Sequence, residues 1–288
     1  MTSRLPVSQS EHSPNWHAEL HLGFVRQGER TVLRENRHRG PLRVQKALYP
    51  EGEAVCQAIV LHPPSGIAGG DHLAISAELG AGAHAQLTTP GAGKWYRSGG
   101  AEASQCIAFT VGEGATLEWL PQETIVFDGA RARMETRVSL AADSRYIGWD
   151  ILCLGRAAAG ERFEKGRFDL FFRVDRENRP IWLERGGFDG SDAMLSSPAG
   201  WAGATVCGTL LCSFPELPQQ AAILLEACRK IIPVDGANHG LSALPGTLVA
   251  RYLGDSSEAV RLWFAELWTI LRPACCGRPA VTPRIWNT

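Results

Sequence analysis

The sequence lacks the features that mark several large classes of protein. Its 288 residues include 29 Lys and Arg against 30 Asp and Glu, with no run of five basic residues. A chain so close to neutrality lacks the positive surface that attracts nucleic acid. No stretch approaches the roughly 20 apolar residues of a membrane-spanning helix, and residues 1–15 lack the apolar segment of a secretory signal. We therefore expect a cytoplasmic protein that binds neither nucleic acid nor membranes.

Cysteine and histidine patterns give no sign of a disulfide framework or a zinc site. The eight cysteines and eight histidines are scattered, with no C-x-x-C pair and no zinc-type histidine spacing. Most cysteines lie in apolar runs, where a thiol behaves as a small hydrophobic group. The adjacent Cys275 and Cys276 could be redox-active, but burial is the commoner use of such residues.

Common catalytic motifs are also missing. Gly93-Lys94 lacks the glycine spacing of a phosphate-binding loop, and no G-x-S-x-G nucleophile elbow occurs. A G-x-G-x-x-G dinucleotide motif does not follow any predicted strand. We therefore expect no enzymatic activity.

Hydrophobic patterning predicts a mostly β protein with layered, β-helix-like sheets and two α-helices in its C-terminal half. We expect a flexible tail at 1–15 and a single domain at 16–288, with β layers over about 16–205 and a helix-containing part over about 215–288. The first helix should begin at Pro218 and stop at Pro233. The second should begin with the capping-box-like Asp255–Glu258 and end at Arg272-Pro273.

A weak internal repeat runs through the β region. Leu79–Ala83 recurs as Val111–Ala115 and more loosely as Leu140–Ser144, and the first two copies each continue to a proline, Pro90 and Pro121. Such a period indicates stacked β layers, each rebuilding the same turn. Glycine turns that recur by chance in a sandwich remain the alternative.

Three acidic residues lie beside tryptophans inside apolar strands: Glu118, Asp150 and Glu184. Their spacings of 32 and 34 residues match the repeat, so stacked layers could align them about 5 Å apart. Buried carboxylates so close repel one another unless water, cations or arginines compensate them. A water-filled acidic passage would suit a divalent cation that is passed on. Pairing of each acid with an arginine is the competing interpretation.

A proline- and glycine-rich segment between His62 and His72 holds one further acidic residue, Asp71. Two prolines and three glycines would fix this carboxylate in one geometry. It could serve a site, or it could cap the turn, which is the commoner role of aspartate.

Several motifs together resemble the UreD family of urease accessory proteins, called UreH in some species. The matching stretches, in the family's order, are Gly40–Gln45 with Tyr49-Pro50, His62–Asp71, Thr88–Ser98, Glu118–Ile125, Trp149-Asp150 leading to Gly155-Arg156, and the terminal Pro283–Trp286. The resemblance covers roughly residues 17–288. One departure is Ser65, where the family usually has a second glycine.

This resemblance implies a non-enzymatic metallochaperone scaffold with a mostly β fold. Such a protein would bind apo-urease and a UreF-type partner, which recruits a nickel-carrying GTPase of the UreG type. It would hold no tight cofactor, and nickel(II) would pass transiently through an internal tunnel lined partly by acidic residues. Asp71, Asp150 and Glu184 match the family's tunnel residues by motif, and the spacing argument adds Glu118 as a fourth candidate metal ligand. The two late helices and the terminal Pro283–Trp286 are candidates for partner contact.

Two alternatives stay open from the residues alone. The chain could be a purely structural docking module in which these acids are all salt-bridged. It could also be a β-solenoid enzyme acting on carbohydrate, which would need two carboxylates roughly 5–10 Å apart in an open groove.

Overall fold

A computed structural model describes residues 16–287, so the tail predicted at 1–15 and the last residue, Thr288, lie outside the described residues. The strands are β1 (His17–Gln27), β2 (Arg30–Arg39), β3 (Cys56–Ile59), β4 (Gly66–Ile67), β5 (His72–Leu79), β6 (His84–Thr88), β7 (Gly93–Trp95), β8 (Ala103–Val111), β9 (Thr116–Leu120), β10 (Thr124–Val126), β11 (Arg131–Leu140), β12 (Arg145–Leu154), β13 (Arg167–Arg176), β14 (Arg179–Asp189), β15 (Val206–Ser213), β16 (Asn238–Leu244) and β17 (Thr247–Gly254). The helices are α1 (Leu217–Arg229) and α2 (Ser257–Cys276), with short 3₁₀ segments at Ala157–Ala159, Ala193–Leu195 and Arg284–Asn287. The predicted fold class is confirmed.

Two sheets form the body of the protein. The first has seven strands in the order β14-β13-β11-β8-β5-β1-β2, and its five middle strands run parallel. The second has ten strands and is branched. Strands continue past residue 205: β15 precedes α1, β16 and β17 lie between α1 and α2, and all three extend the second sheet by antiparallel pairing.

The repeated turns stack in register, as the sequence predicts. Val111 pairs with Leu79 on one side and with Leu140 on the other. At the end of each turn the backbone N–H of Thr116 donates to the carbonyl of Ala83 at 2.8 Å, and the N–H of Arg145 donates to the carbonyl of Ala115 at 2.9 Å. Each copy therefore rebuilds the turn of the copy before it, which is the arrangement of a β-solenoid.

The second sheet forks because one long strand pairs with two short ones. The first half of β12 pairs with β9 and its second half with β10, and the three residues 121–123 separate those two strands. The same break separates β6 from β7 in the layer below. Pro90 and Pro121 lie in these breaks, and proline cannot donate a hydrogen bond to a strand ladder. The fork leaves a gap in the sheet.

Alternation along β12 divides the hydrophobic core in two. Tyr146 and Leu152 face the first sheet and join the core between the sheets. Ile147 and Trp149 face the opposite way and pack with α1 and α2. Side chains on one strand alternate between the two sides of a sheet, so alternate residues of β12 pack into different cores.

The observed starts of the two helices match the predicted starts better than the observed ends match the predicted ends. Ser256 caps α2 by accepting a hydrogen bond from the N–H of Ala259 at 3.1 Å. The predicted end at Arg272-Pro273 is wrong, because α2 continues to Cys276 and ends at Gly277. Pro273 is exposed, so the carbonyl it leaves unpaired in the turn before can bond water. The first helix also ends early, at Arg229 rather than near Pro233.

Within residues 16–287, neither helix combines the length and the apolar character that a membrane crossing demands.

Candidate functional site

Asp150 lies inside the protein, between the two sheets. It occupies the middle of β12, on the face shared by Tyr146 and Leu152. Its Oδ2 atom is shielded from solvent and has no hydrogen-bond partner among the described residues. An unpaired buried carboxyl oxygen is uncommon, since buried polar atoms normally find a partner. This side chain is thus available to a ligand.

A row of polar side chains crosses the second sheet at Asp150. The strand register pairs Asp150 with Thr209 on β15, and Thr209 with Arg251 on β17. Neighbouring strands lie about 4.8 Å apart, so the row spans about 10 Å. All three residues occupy the sheet face that looks toward the first sheet.

Glu184 on β14 faces this row from the first sheet. Its Oε1 accepts a hydrogen bond of 2.6 Å from Nη1 of Arg251, and its Oε2 accepts one of 3.4 Å from the Thr209 hydroxyl. The site therefore contains two carboxylates from two sheets, of which one is paired with an arginine and the other is not.

Electrostatics distinguish the charged groups of this site. Burial, reinforced by the negative charge of Glu184, raises the pKa of Asp150 to about 7. Burial would by itself lower the pKa of Arg251, but the Glu184 carboxylate raises it overall, so the guanidinium stays charged. Near neutral pH, Asp150 can thus take up or release a proton while the ion pair beside it stays intact.

Three neighbouring cavities meet at these residues. A cavity of about 180 Å³ below the fork is lined by Met134 and Asp150 at its inner end. A second, of about 110 Å³, shares those two side chains and reaches Glu184 and Arg251. A third, an open cleft of about 660 Å³, shares Arg251 with the second and reaches the protein surface. Asp150 and Arg251 therefore mark the two junctions in a row of cavities through the protein.

The first cavity opens at the gap in the second sheet. The exposed Pro90 and Gly91 and the half-buried Glu123 line its outer end. His62 also lines it, and the Nε2 atom of this histidine is buried without a partner. Burial lowers the pKa of His62, with Asp71 acting in the opposite direction, so the imidazole is held in its neutral, ligand-competent form.

Asp71 lies outside the lining of the three cavities. Its carboxylate accepts hydrogen bonds from the backbone N–H groups of Trp16 at 3.0 Å and Ala68 at 2.8 Å. These bonds close the proline- and glycine-rich turn and attach it to the start of β1. The contacts are those of a turn-capping aspartate.

Glu118 lies on the other side of the second sheet. The predicted stacking of Glu118 with Asp150 is wrong, because the register pairs Glu118 with Ile147, which faces the helices. Its fully buried carboxylate accepts hydrogen bonds from His84 at 2.9 Å, from Trp268 at 2.8 Å and from two nitrogens of Arg272 at 2.9 Å.

These bonds explain the acidity of Glu118 and its unsuitability for a cation. Burial opposes ionisation, but the hydrogen bond from His84 and the charge of Arg272 lower the pKa of Glu118 to about 2. His84, Glu118 and Cys276 have potential ligand atoms within 4.8 Å of one another. However, both oxygens of Glu118 already accept two hydrogen bonds each, and Arg272 supplies the positive charge that a metal would bring.

Of the four acids singled out from the sequence, the structure thus brings together Asp150 and Glu184 and places Asp71 and Glu118 elsewhere. The predicted stacking of Asp150 and Glu184 in adjacent layers is also wrong, because the two residues lie on different sheets. Sequence reasoning missed Arg251, Thr209 and His62. Arg251 is one of many arginines, and only the strand register reveals that it shares a row with Asp150. His62 could have been found from its place at the start of the loop that holds Asp71.

The terminal segment and the late tryptophans lie in the helix-side core. Trp263 and Trp268 are buried. Trp286 is half-buried, 5.7 Å from the ring of Trp149, and donates to the Thr88 hydroxyl at 2.8 Å. The Pro283–Trp286 segment therefore folds back onto the protein, and its tryptophan is occupied by internal contacts.

Comparison with known proteins gives one consistent result. A family model described as "UreD urease accessory protein" matches residues 17–287. The chain is 88% identical to the urease accessory protein UreD of Dechloromonas aromatica (strain RCB), with complete coverage of both chains. It is 54% identical over 275 residues to the urease accessory protein UreD of Azoarcus sp. (strain BH72), covering 96% of this chain and 95% of that protein.

Proposed function

The chain belongs to the UreD family of urease accessory proteins, and we propose that it assists urease maturation by leading nickel(II) through its interior. In this role it is a metallochaperone scaffold without a catalytic step of its own. Nickel(II) is its transient cargo and not a tightly bound cofactor. The observation that carries the proposal is the row of three cavities in which Asp150 and Glu184 face each other.

The chemistry of the row suits a cation that must be released again. Carboxylate oxygens bind divalent cations, and a site with few of them binds weakly. Asp150 offers an unpartnered oxygen, and Glu184 is held by one arginine and one distant hydroxyl. The neutral His62 near the first opening adds a nitrogen ligand of the kind that nickel accepts. Asp71 caps a turn and Glu118 anchors a helix, so we assign neither to the path.

The cavity row also fits a protein that works between partners. We propose that it binds apo-urease and a UreF-type accessory protein, through which a nickel-carrying GTPase of the UreG type is recruited. Ile232 and Val234 expose 65% and 76% of their surface in the connection between α1 and β16, and Asn238 and His239 of β16 line the outer cleft. Exposed apolar side chains beside an opening are typical of a docking site.

We propose the cytoplasm as the compartment. All eight cysteines, which fall within the described residues, carry free thiols. Free thiols are typical of proteins in a reducing compartment.

The proposal is tested by nickel-dependent activation of urease in cells that carry the urease and accessory genes. Asp150→Asn and Glu184→Gln keep the shape of each side chain but remove its charge. Glu78→Gln is the matched control, because Glu78 is exposed on β5, away from the cavities. We expect activation to fall about tenfold or more in the first two variants and to be unchanged in the control.

Pull-down of urease and the accessory proteins with each variant separates transport from assembly. Lost activation with intact complexes supports the nickel path. Full activation in both interior variants contradicts it and leaves a docking module without a metal path.

A further inference from the structure

Among residues 16–287, Arg251 is the one positive charge that forms an ion pair with Asp150 or Glu184. Its Nη1 lies 2.6 Å from Oε1 of Glu184, and its side chain borders both the second cavity and the outer cleft. A cation that moves from Asp150 through the second cavity to the cleft passes beside this ion pair. The pair thus occupies the narrow part of the proposed path.

A positive charge beside the carboxylates of a cation path weakens their binding of cations. Two facing carboxylates without a counter-charge attract each divalent cation of the cell, and they hold it strongly in a partly buried setting. A guanidinium at the carboxylate lowers the affinity for every cation and supplies the charge that refills the site after the cation leaves. Carboxylate sites that transport ions need such weak binding, because a strong site traps its cargo.

The geometry allows Arg251 to leave and return. Its side chain keeps 43% of its surface exposed, whereas that of Glu184 keeps only 17%. The outer cleft of about 660 Å³ gives the guanidinium room on the side away from Asp150. Glu184 is fixed on the inner face of β14, so the arginine is the mobile member of the pair.

We propose that Arg251 is a displaceable counter-ion of the nickel path, which pairs with Glu184 when the path is empty and swings into the outer cleft when a cation binds there. It is a positioning residue that sets the affinity and the release of the cargo. This inference rests on the nickel path proposed above.

Arg185 provides a matched control. It also borders the second cavity and the outer cleft, one residue from Glu184 on β14. Within residues 16–287 it takes part in no side-chain hydrogen bond or ion pair. Loss of Arg185 therefore removes a positive charge from the border of the same two cavities without releasing Glu184.

The test is equilibrium dialysis of nickel(II) chloride against the purified full chain and its variants. We expect Arg251→Gln to bind nickel about tenfold or more tightly than the unchanged protein, and Arg185→Gln to bind within about twofold of it. The gain in nickel affinity should require Glu184. The double variant Arg251→Gln/Glu184→Gln should therefore bind nickel with the same affinity as Glu184→Gln alone. The nickel affinity of Arg251→Lys should lie between those of the unchanged protein and Arg251→Gln, since lysine keeps the charge but not the planar geometry.

Activation of urease with the same variants supplies the second readout. Arg251→Gln should release nickel slowly and lose activity further when excess Mg²⁺ is added, because the bare carboxylates no longer reject hard cations. Equal nickel affinity in Arg251→Gln and the unchanged chain overturns the proposal, as does an equal gain in Arg185→Gln. A lower melting temperature without a change in affinity also overturns it, because the ion pair would then be structural only.

These outcomes separate this inference from the nickel path itself. If Asp150→Asn and Glu184→Gln reduce activation but Arg251→Gln changes neither affinity nor release, only the counter-ion role fails. If Asp150→Asn and Glu184→Gln both activate urease fully, the path fails and the counter-ion role falls with it.

Discussion

Arg272 donates two hydrogen bonds of 2.9 Å to the carboxylate of Glu118, across 154 residues of sequence and between α2 and β9. The same guanidinium donates to Glu51 at 2.6 and 2.8 Å. Both partners of the Glu118–Arg272 pair are fully buried. This ion pair attaches the second helix to the solenoid sheet.

We expect Arg272→Met to destabilise the protein by about 3–5 kcal/mol, because it leaves the buried Glu118 charge without its partner. Urea unfolding followed by circular dichroism measures the change. Arg261→Met, on the same helix but only half-buried, is the control and should change stability by less than about 1 kcal/mol. Equal stability of the two variants would contradict the structural role of the pair.

Asp71→Ala should loosen the turn before β5 without unfolding the sheets. The substitution leaves the N–H groups of Trp16 and Ala68 without their acceptor, a loss of about 1–3 kcal/mol. Hydrogen exchange should accelerate at those two amides and remain unchanged at Ile107 in the centre of the first sheet. Unchanged exchange at Ala68 would show that the carboxylate does not cap the turn.

The raised pKa of Asp150 should make the stability of the protein depend on pH in an unusual way. Because its pKa is about 7 in the folded protein and about 3.9 in an unfolded chain, the folded state binds the extra proton between these values. Stability that Asp150 provides at low pH is therefore lost as the pH rises through the folded pKa.

Asp150→Asn removes this dependence. We compare the free energy of unfolding of the variant with that of the unchanged protein. The difference should shift by about 3 kcal/mol in favour of the variant as the pH rises from 5 to 8. Urea unfolding at the two pH values measures the difference. Asp175→Asn, whose carboxylate is paired with Arg173 on the first sheet, serves as the comparison and should show no such gain.

Gly208 allows α2 to pack closely on the second sheet. A Cβ atom at this position would lie 2.6 Å from Cγ2 of Val260 and 2.9 Å from Cζ of Phe264. Gly208→Ala should therefore lower stability by about 1–3 kcal/mol. A Cβ atom at Gly240, on β16 of the same sheet, meets no atom within 4 Å. Gly240→Ala is therefore the control, and thermal unfolding should separate the two variants clearly.

The features that depend on a local sequence pattern could be predicted from the sequence. The turns at Leu79, Val111 and Leu140 stack because each copy repeats the same short motif, and the capped start of α2 follows from its first residues. The end of α2 could not be predicted, because the burial of Arg272 and Cys275 outweighs the hydrogen bond lost at Pro273.

The candidate site is predictable only in part. Spacing along the chain singles out Asp150 and Glu184, but the stacking in adjacent layers that it predicts is wrong. Glu184 lies on the first sheet and Asp150 on the second, and the alternation of the strands directs Glu118 to the opposite face. The counter-ion Arg251 is 67 residues from Glu184. The register of three antiparallel strands aligns Arg251 with Asp150, and the packing of the two sheets then brings Glu184 to it. Such a long-range pairing leaves no local signal.

The passage of nickel can be tested most directly by closing the cavity without altering its charge. Gly186 lines the second cavity beside Glu184, and a Cβ atom added there meets nothing within 4 Å. Gly186→Phe should fill this space of about 110 Å³, whereas Gly186→Ala should leave most of it open. Both proteins are compared for nickel-dependent urease activation, with pull-downs and melting curves as checks on assembly and folding. We expect Gly186→Phe to assemble with its partners but to fail to activate urease, and Gly186→Ala to activate it normally. Full activation by a folded Gly186→Phe protein would contradict transport through this chain.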